Sequence, residues 1–253
     1  MLTRIMAAGL LAGVLSGVCV AALQHATTVP LILQAESYES AAPAAQPHRH
    51  SSSAMPRTSL FILAHTTADE SRDAADGHAT ARQQPAAGLE RTAATTVTTI
   101  GTATGFALML LALMLASGIT ITVRQAALWG IGAFFATGLA PAIGLPPELP
   151  GAVGADLTSR QLWWVSTAVT TSAGIWLMFR HATVATIAIG IALLALPHVI
   201  GAPQSPSLTS LVPAELAGRF TAASLGVHAV MWLLTGALAG FFWQKFERSA
   251  ALA

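Results

Sequence analysis

The chain has 253 residues, 54% hydrophobic and only 9% charged, against about 25% charged in an ordinary globular domain, which argues against a water-soluble protein. Its net charge of +1 comes with no basic stripe, so a nucleic-acid-binding surface is excluded. Most of the acids, and five of the twelve Lys and Arg, fall between residues 25 and 95. Elsewhere the sequence is nearly uncharged in blocks of about 18–22 residues, the length that carries a helix across a bilayer core of ~30 Å. In lipid each backbone N–H and C=O must pair within its own segment, so these blocks are predicted to be helices.

The first apolar block covers residues 5–23. Arg4 before it, and Ala21 and Ala22 near its end, also suit a cleaved signal peptide. Its apolar run exceeds the usual ~7–15 residues of a signal core, so we read it as a retained helix; cleavage would leave five spans. Cys19 is the only cysteine. It forms no internal disulfide and no thiolate metal site alone, and is expected to be a small buried hydrophobe. Gly9, Gly13 and Gly17 recur at four-residue spacing, as do Gly101 with Gly105 and Gly236 with Gly240. Such glycines share one helix face and let backbones approach closely in lipid. Packing inside one bundle is the favoured reading; a partner or oligomer interface is the alternative.

Residues 25–95 form the long loop. The stretch 29–38 (VPLILQAESY) is still apolar, and extends the first helix or forms a strand. Residues 41–57, rich in Ala, Pro, Ser and His, have no period and read as flexible. The remaining blocks cover residues 97–117, 126–145, 162–179, 183–200 and 221–243. LPPELPG at 145–151 breaks the chain after the third block, with Glu148 between prolines. Trp163 and Trp164 open the fourth as interfacial aromatics do. LPHVIGAPQ at 196–204 closes the fifth, where Pro197 should kink or stop the helix.

Lys and Arg in short loops set orientation. With both termini cytoplasmic, the inside holds Arg4, Arg124, Arg180, Lys245 and Arg248, and the short outer loops hold only Arg160 and Arg219. The fold expected is an all-α integral membrane protein of about six transmembrane helices with one long, largely irregular extracytoplasmic loop. Its parts are a first helix (1–24), the His-containing loop (25–95), a five-helix bundle (96–244) and a cytoplasmic tail (245–253).

The histidines carry the chemistry. Of eight, His25, His48, His50, His65, His78, His198 and His228 fall outside or in the outer half of the membrane, and only His181 inside. Neutral imidazole is a common ligand for Co, Ni, Cu and Zn ions. His48 and His50 form an H-x-H pair, weakened by the intervening Arg49. Glu36 offers a carboxylate in the same loop. His228, an ionisable group inside a span, is a site candidate by default, or an interhelical hydrogen bonder to a Ser or Thr. His198 sits on a break where irregular backbone either lines a cavity or meets the headgroups. Glu148 is either a vestibule carboxylate or a loop acid paired with Arg160. No P-loop, H-E-x-x-H or G-x-S-x-G occurs, Lys245 is the only lysine, and nothing pairs a nucleophile with a base. We therefore expect no enzyme activity.

The ordered set MAAGLLAGVLSGV, VPLILQAESYE, LPPELPG, SRQLWW and LPHVIGAPQ resembles the CbtA family of bacterial predicted cobalt transporter subunits, over nearly the whole chain. The resemblance implies a multi-span protein of the bacterial inner membrane. It also implies a small one-span partner with a histidine-rich end, CbtB; no ligand residue is carried over from it. Together these readings give a membrane subunit of a divalent transition-metal transporter, with cobalt as the expected cargo and no resident cofactor. His25, His48, His50, Glu36 and Glu148 would capture the ion outside, and His198 and His228 would offer successive weak sites inside. Capture should weaken as pH falls through ~6.5, because a ligating imidazole must be neutral. The alternative is a non-transporting metal-sensing or accessory membrane protein.

Overall fold

The computed structural model describes residues 1–41, 84–205 and 210–251. Every regular element among them is helical: α1 (Leu2–Ala26), α2 (Thr28–Ala41), α3 (Gln84–Ala116), α4 (Val123–Phe134), a π turn (Phe135–Leu139), α5 (Ala140–Gly144), α6 (Leu157–His181), α7 (Val184–Ile200) and α8 (Ala214–Ala251). Helix α4, the π turn and α5 run on as one rod, Val123–Gly144. Among the described residues five helices are long and apolar enough to cross a membrane. Helix α7, with 17 residues, measures ~26 Å at 1.5 Å per residue, just short of a bilayer core. The chain is thus a multi-pass helical membrane protein, with about six spans.

Glycines set the packing. A Cβ on Gly13 would lie 2.2 Å from Thr104 Cα, and one on Gly17 2.6 Å from Ile100 Cα, so α1 lies backbone to backbone on α3. Gly130 and Gly236 do the same between α4 and α8, where added Cβ atoms would meet the Trp232 and Ala126 carbonyls. Helix α8 also packs on α1, where the buried Thr235 hydroxyl donates to Ser16 Oγ at 3.1 Å. These four helices enclose the main core, with Leu110, Leu111, Met114 and Trp232 fully buried. The stripes of α1 and α8 are therefore internal packing. Gly101 and Gly105 face open space.

Helices α6 and α7 form a separate hairpin. Gly174 and Gly190 each approach the other's carbonyl, and the Thr183 side chain caps α7 in a reciprocal box with Thr186. The hairpin meets the core chiefly along the π turn and α5.

The two ends of the bundle are distinct. At the tail end Arg4 lies 3.6 Å from Glu247 and over the Trp243 ring, bringing both termini together. At the loop end α2 buries Leu31 and Ala35 against Leu149, Val212 and Leu216. The Thr221 hydroxyl there donates to the Pro147 carbonyl at 3.1 Å.

Several expectations change. Of the two readings of 29–38 the helical one holds, the stretch continuing α1 after a bend at Thr27. Helix α3 starts at Gln84 rather than 97, so the last stretch of the expected loop is helix. Its first turns are rich in Ala and Thr with no apolar period, and α3 at 33 residues is ~50 Å long, longer than a bilayer core requires. Helix α7 neither stops nor breaks at Pro197 but runs to Ile200, because only its last turn follows the ring. The Gly201 N–H closes on the Pro197 carbonyl at 3.0 Å, and the Trp163 indole donates to the same oxygen at 3.2 Å. Cys19 is exposed rather than buried; on the outward face of a membrane helix its apolar surroundings would be lipid.

Candidate functional site: a cleft at the seam

At the loop end, between the α6–α7 hairpin and the core, lies an open cleft of about 500 Å³. One wall is the π turn and α5, with Thr137, Gly138 and Pro141; another is the first turns of α6, with Arg160, Gln161 and Trp164. The loop after α5 contributes Pro146, Pro147 and Glu148, and α8 contributes Ser224 and His228. Two of the residues singled out from the sequence, Glu148 and His228, therefore share one cavity.

His228 is half-buried on α8 and packs against the π turn, where a Cβ on Gly138 would lie 2.7 Å from its Cδ2. Only a glycine leaves room for the ring there. π turns are rare and recur at functional sites because they re-aim side chains. This one brings Thr137 Oγ1 to 3.2 Å from His228 Nε2. The Trp232 indole N–H points between the two, 2.9 Å from His228 Nε2 and 3.0 Å from Thr137 Oγ1. An indole N–H only donates, so the ring that fits keeps Nε2 as acceptor and carries its proton on Nδ1. The Thr137 hydroxyl donates to the Ala133 carbonyl at 2.8 Å. Trp232 is itself held by stacking on Phe106, with centroids 4.5 Å apart. The bond to His228 thus comes from Trp232 on its own helix, with the indole bridging to Thr137 of the π turn, and a metal ion taken by Nε2 would have to replace the indole.

Glu148 pairs with Arg160, Oε2 to Nη2 at 2.7 Å, both side chains about a third exposed. Gly154 folds over the pair; a Cβ there would come within 2.5 Å of Arg160 Nη1 and 3.3 Å of Glu148 Oε2. Asp156 caps α6, accepting from the Ser159 N–H at 2.9 Å and the Ser159 hydroxyl at 3.0 Å. The Ser159 backbone hydrogen bond, above all, holds the Asp156 carboxyl below its usual range.

The remaining candidates lie elsewhere. His198 is half-buried and stands edge-on to Trp163 at 5.8 Å, outside the cleft lining. His25 Nε2 lies 3.2 Å from Thr96 Oγ1, and Glu36 meets Arg91 at 3.0 Å, so both zip α1 and α2 to α3. His48 and His50 lie outside the described residues, as do His65 and His78. Among the described residues no group of three or more His, Cys, Asp or Glu converges where a metal ion would be held. Sequence reasoning missed Thr137, Gln161, Ser224 and Trp232, and no sequence signal brings them together.

No curated protein and no solved structure matches the chain. A family match covers residues 2–244, to CbtA, described as a probable cobalt transporter subunit. The word subunit implies a partner protein in a transporter complex. Spanning nearly the whole sequence, the match means that this chain belongs to the CbtA family.

Proposed function

We propose that the chain is the cation-admitting membrane subunit of a divalent transition-metal transporter, with Co2+ as cargo, and that the cleft is where the ion arrives. The observation that carries this reading is the sharing of one membrane-end cavity by a carboxylate, Glu148, and an imidazole, His228. A conducting site must release what it takes, which suits two spaced ligands completed by water better than a closed cage. The family description supplies cobalt; imidazole and carboxylate alone would serve Ni2+ or Zn2+ as well. The loop end is read as extracytoplasmic, since Arg4, Arg124, Arg180, Lys245 and Arg248 gather at the other end. On this reading both termini face the cytoplasm of a bacterial inner membrane. His25 and Glu36 act as helix fasteners rather than ligands, and His198 stands beside the path. The partner is read as a small CbtB-like span with a histidine-rich end that presents metal to the mouth. We read the role as non-enzymatic, in keeping with the transporter-subunit description of the family.

Radiolabelled Co2+ flux into proteoliposomes, with the chain alone and with its partner, tests this. Uptake that requires this chain and is competed by unlabelled Co2+ is expected. Binding of Co2+ without any flux in either preparation would favour the sensing or accessory alternative.

A further inference from the structure

We infer that Arg160 is a built-in cation that occupies Glu148 until a divalent ion displaces it, and so excludes monovalent ions from the cleft. This rests on reading the cleft as the place of metal arrival. A carboxylate facing water at a membrane surface would otherwise attract Na+ and K+, which are far more abundant than any transition metal. Here Glu148 Oε2 is already engaged by Arg160 Nη2 at 2.7 Å. Such charge-assisted bonds are short and directional. The geometry is held from three sides. Pro146 and Pro147 stiffen the chain before Glu148, Arg160 projects from the first turn of α6, and Gly154 closes over both.

Exchange then depends on charge. Na+ brings the same single charge as the guanidinium, without its directed N–H donors, and competes against a group tethered at high local concentration. A divalent ion doubles the Coulomb attraction at equal distance. A transition ion also gains imidazole nitrogen from His228 in the same cavity once it displaces the Trp232 indole from Nε2. Arg160 therefore lowers affinity for every cation and raises discrimination between them.

Co2+ binding to the full chain in lipid nanodiscs, titrated by calorimetry at one ionic strength set first with choline chloride and then with sodium chloride, tests this. Arg160→Gln should bind Co2+ about tenfold tighter than wild type in choline and lose that gain in sodium. Arg160→Lys, which keeps a tethered cation, should behave as wild type in both salts and shows that the site still folds. Glu148→Gln should weaken binding in both salts, and adding it to Arg160→Gln should abolish the sodium sensitivity which that variant shows. If Glu148→Gln weakens binding but Arg160→Gln does not tighten it, Arg160 is not the competing cation, while the cleft remains the metal site. If Glu148→Gln binds as wild type does, the reading of the cleft itself is wrong.

Discussion

The four-helix core and the α6–α7 hairpin solve the same problem differently. In lipid there is no hydrophobic drive between apolar helices, so association depends on close packing and hydrogen bonds. The core obtains both, through backbone contacts at Gly13, Gly17, Gly130 and Gly236 and through the Ser16–Thr235 and Trp232–Thr137 bonds. The hairpin is tightly joined within itself at Gly174 and Gly190, yet Phe179, Val184 and Val199 stand more than four-fifths exposed. Glu148, Arg160 and His228 lie where the two regions meet, and the cleft opens along that seam. A rigid core and a lightly attached hairpin are what a cavity needs if it is to admit and release an ion.

The largest expected effect strikes the core. Gly13→Ala puts a methyl into Thr104 backbone, and should destabilise the chain by about 3 kcal/mol, the upper end for overpacking. Gly101→Ala, on the open face of α3, should be neutral or stabilising by up to ~1 kcal/mol. Thermal unfolding in detergent followed by circular dichroism compares them; equal losses would mean that the α1 glycine stripe does not define the core.

A smaller loss is expected at the seam. Trp232→Phe keeps the stacking on Phe106 but removes the donor to His228 and Thr137, costing about 1–2 kcal/mol. An unchanged unfolding midpoint would show that the indole N–H is not holding the imidazole.

The smallest effect falls on the hairpin's first turn. Asp156 has a folded pKa below its ordinary value because Ser159 donates to it. Its contribution to the α6 cap is therefore full above the ordinary aspartate range, and is lost only as pH falls through the lower folded value. Hydrogen exchange of the first α6 amides should match wild type in Asp156→Asn at strongly acidic pH and run faster than wild type at neutral pH. A difference that grows on acidification would contradict the cap.

What the sequence revealed follows from the kind of signal each feature leaves. Long uncharged blocks mark spans without knowledge of partners, which is why the six-block reading matches the helices closely. The glycine spacing of α1 and α8 was legible, but not which face met which helix; Gly101 and Gly105 carry the same spacing and meet nothing. The helical start of α3 was invisible, because Gln84–Thr96 has neither apolar period nor cap. The π turn (FATGL) has no sequence signature, so Thr137 and Gly138 could not be placed beside His228. Glu148 and Arg160 were separable into ligand or ion pair only by geometry, which shows the pair. His198 looked equivalent to His228, and the Trp163 ring beside it comes from another helix.

Cobalt uptake by vesicles carrying the chain with its partner tests most directly whether metal arrives at the seam. Two double variants are compared at matched protein level, Glu148→Gln with His228→Gln in the cleft and Glu36→Gln with His25→Gln at the α1–α3 fastening. Uptake should collapse for the cleft pair and persist near wild type for the fastening pair. Persistence in the cleft pair with loss in the other would place the ion's route along α1–α3 and contradict the account.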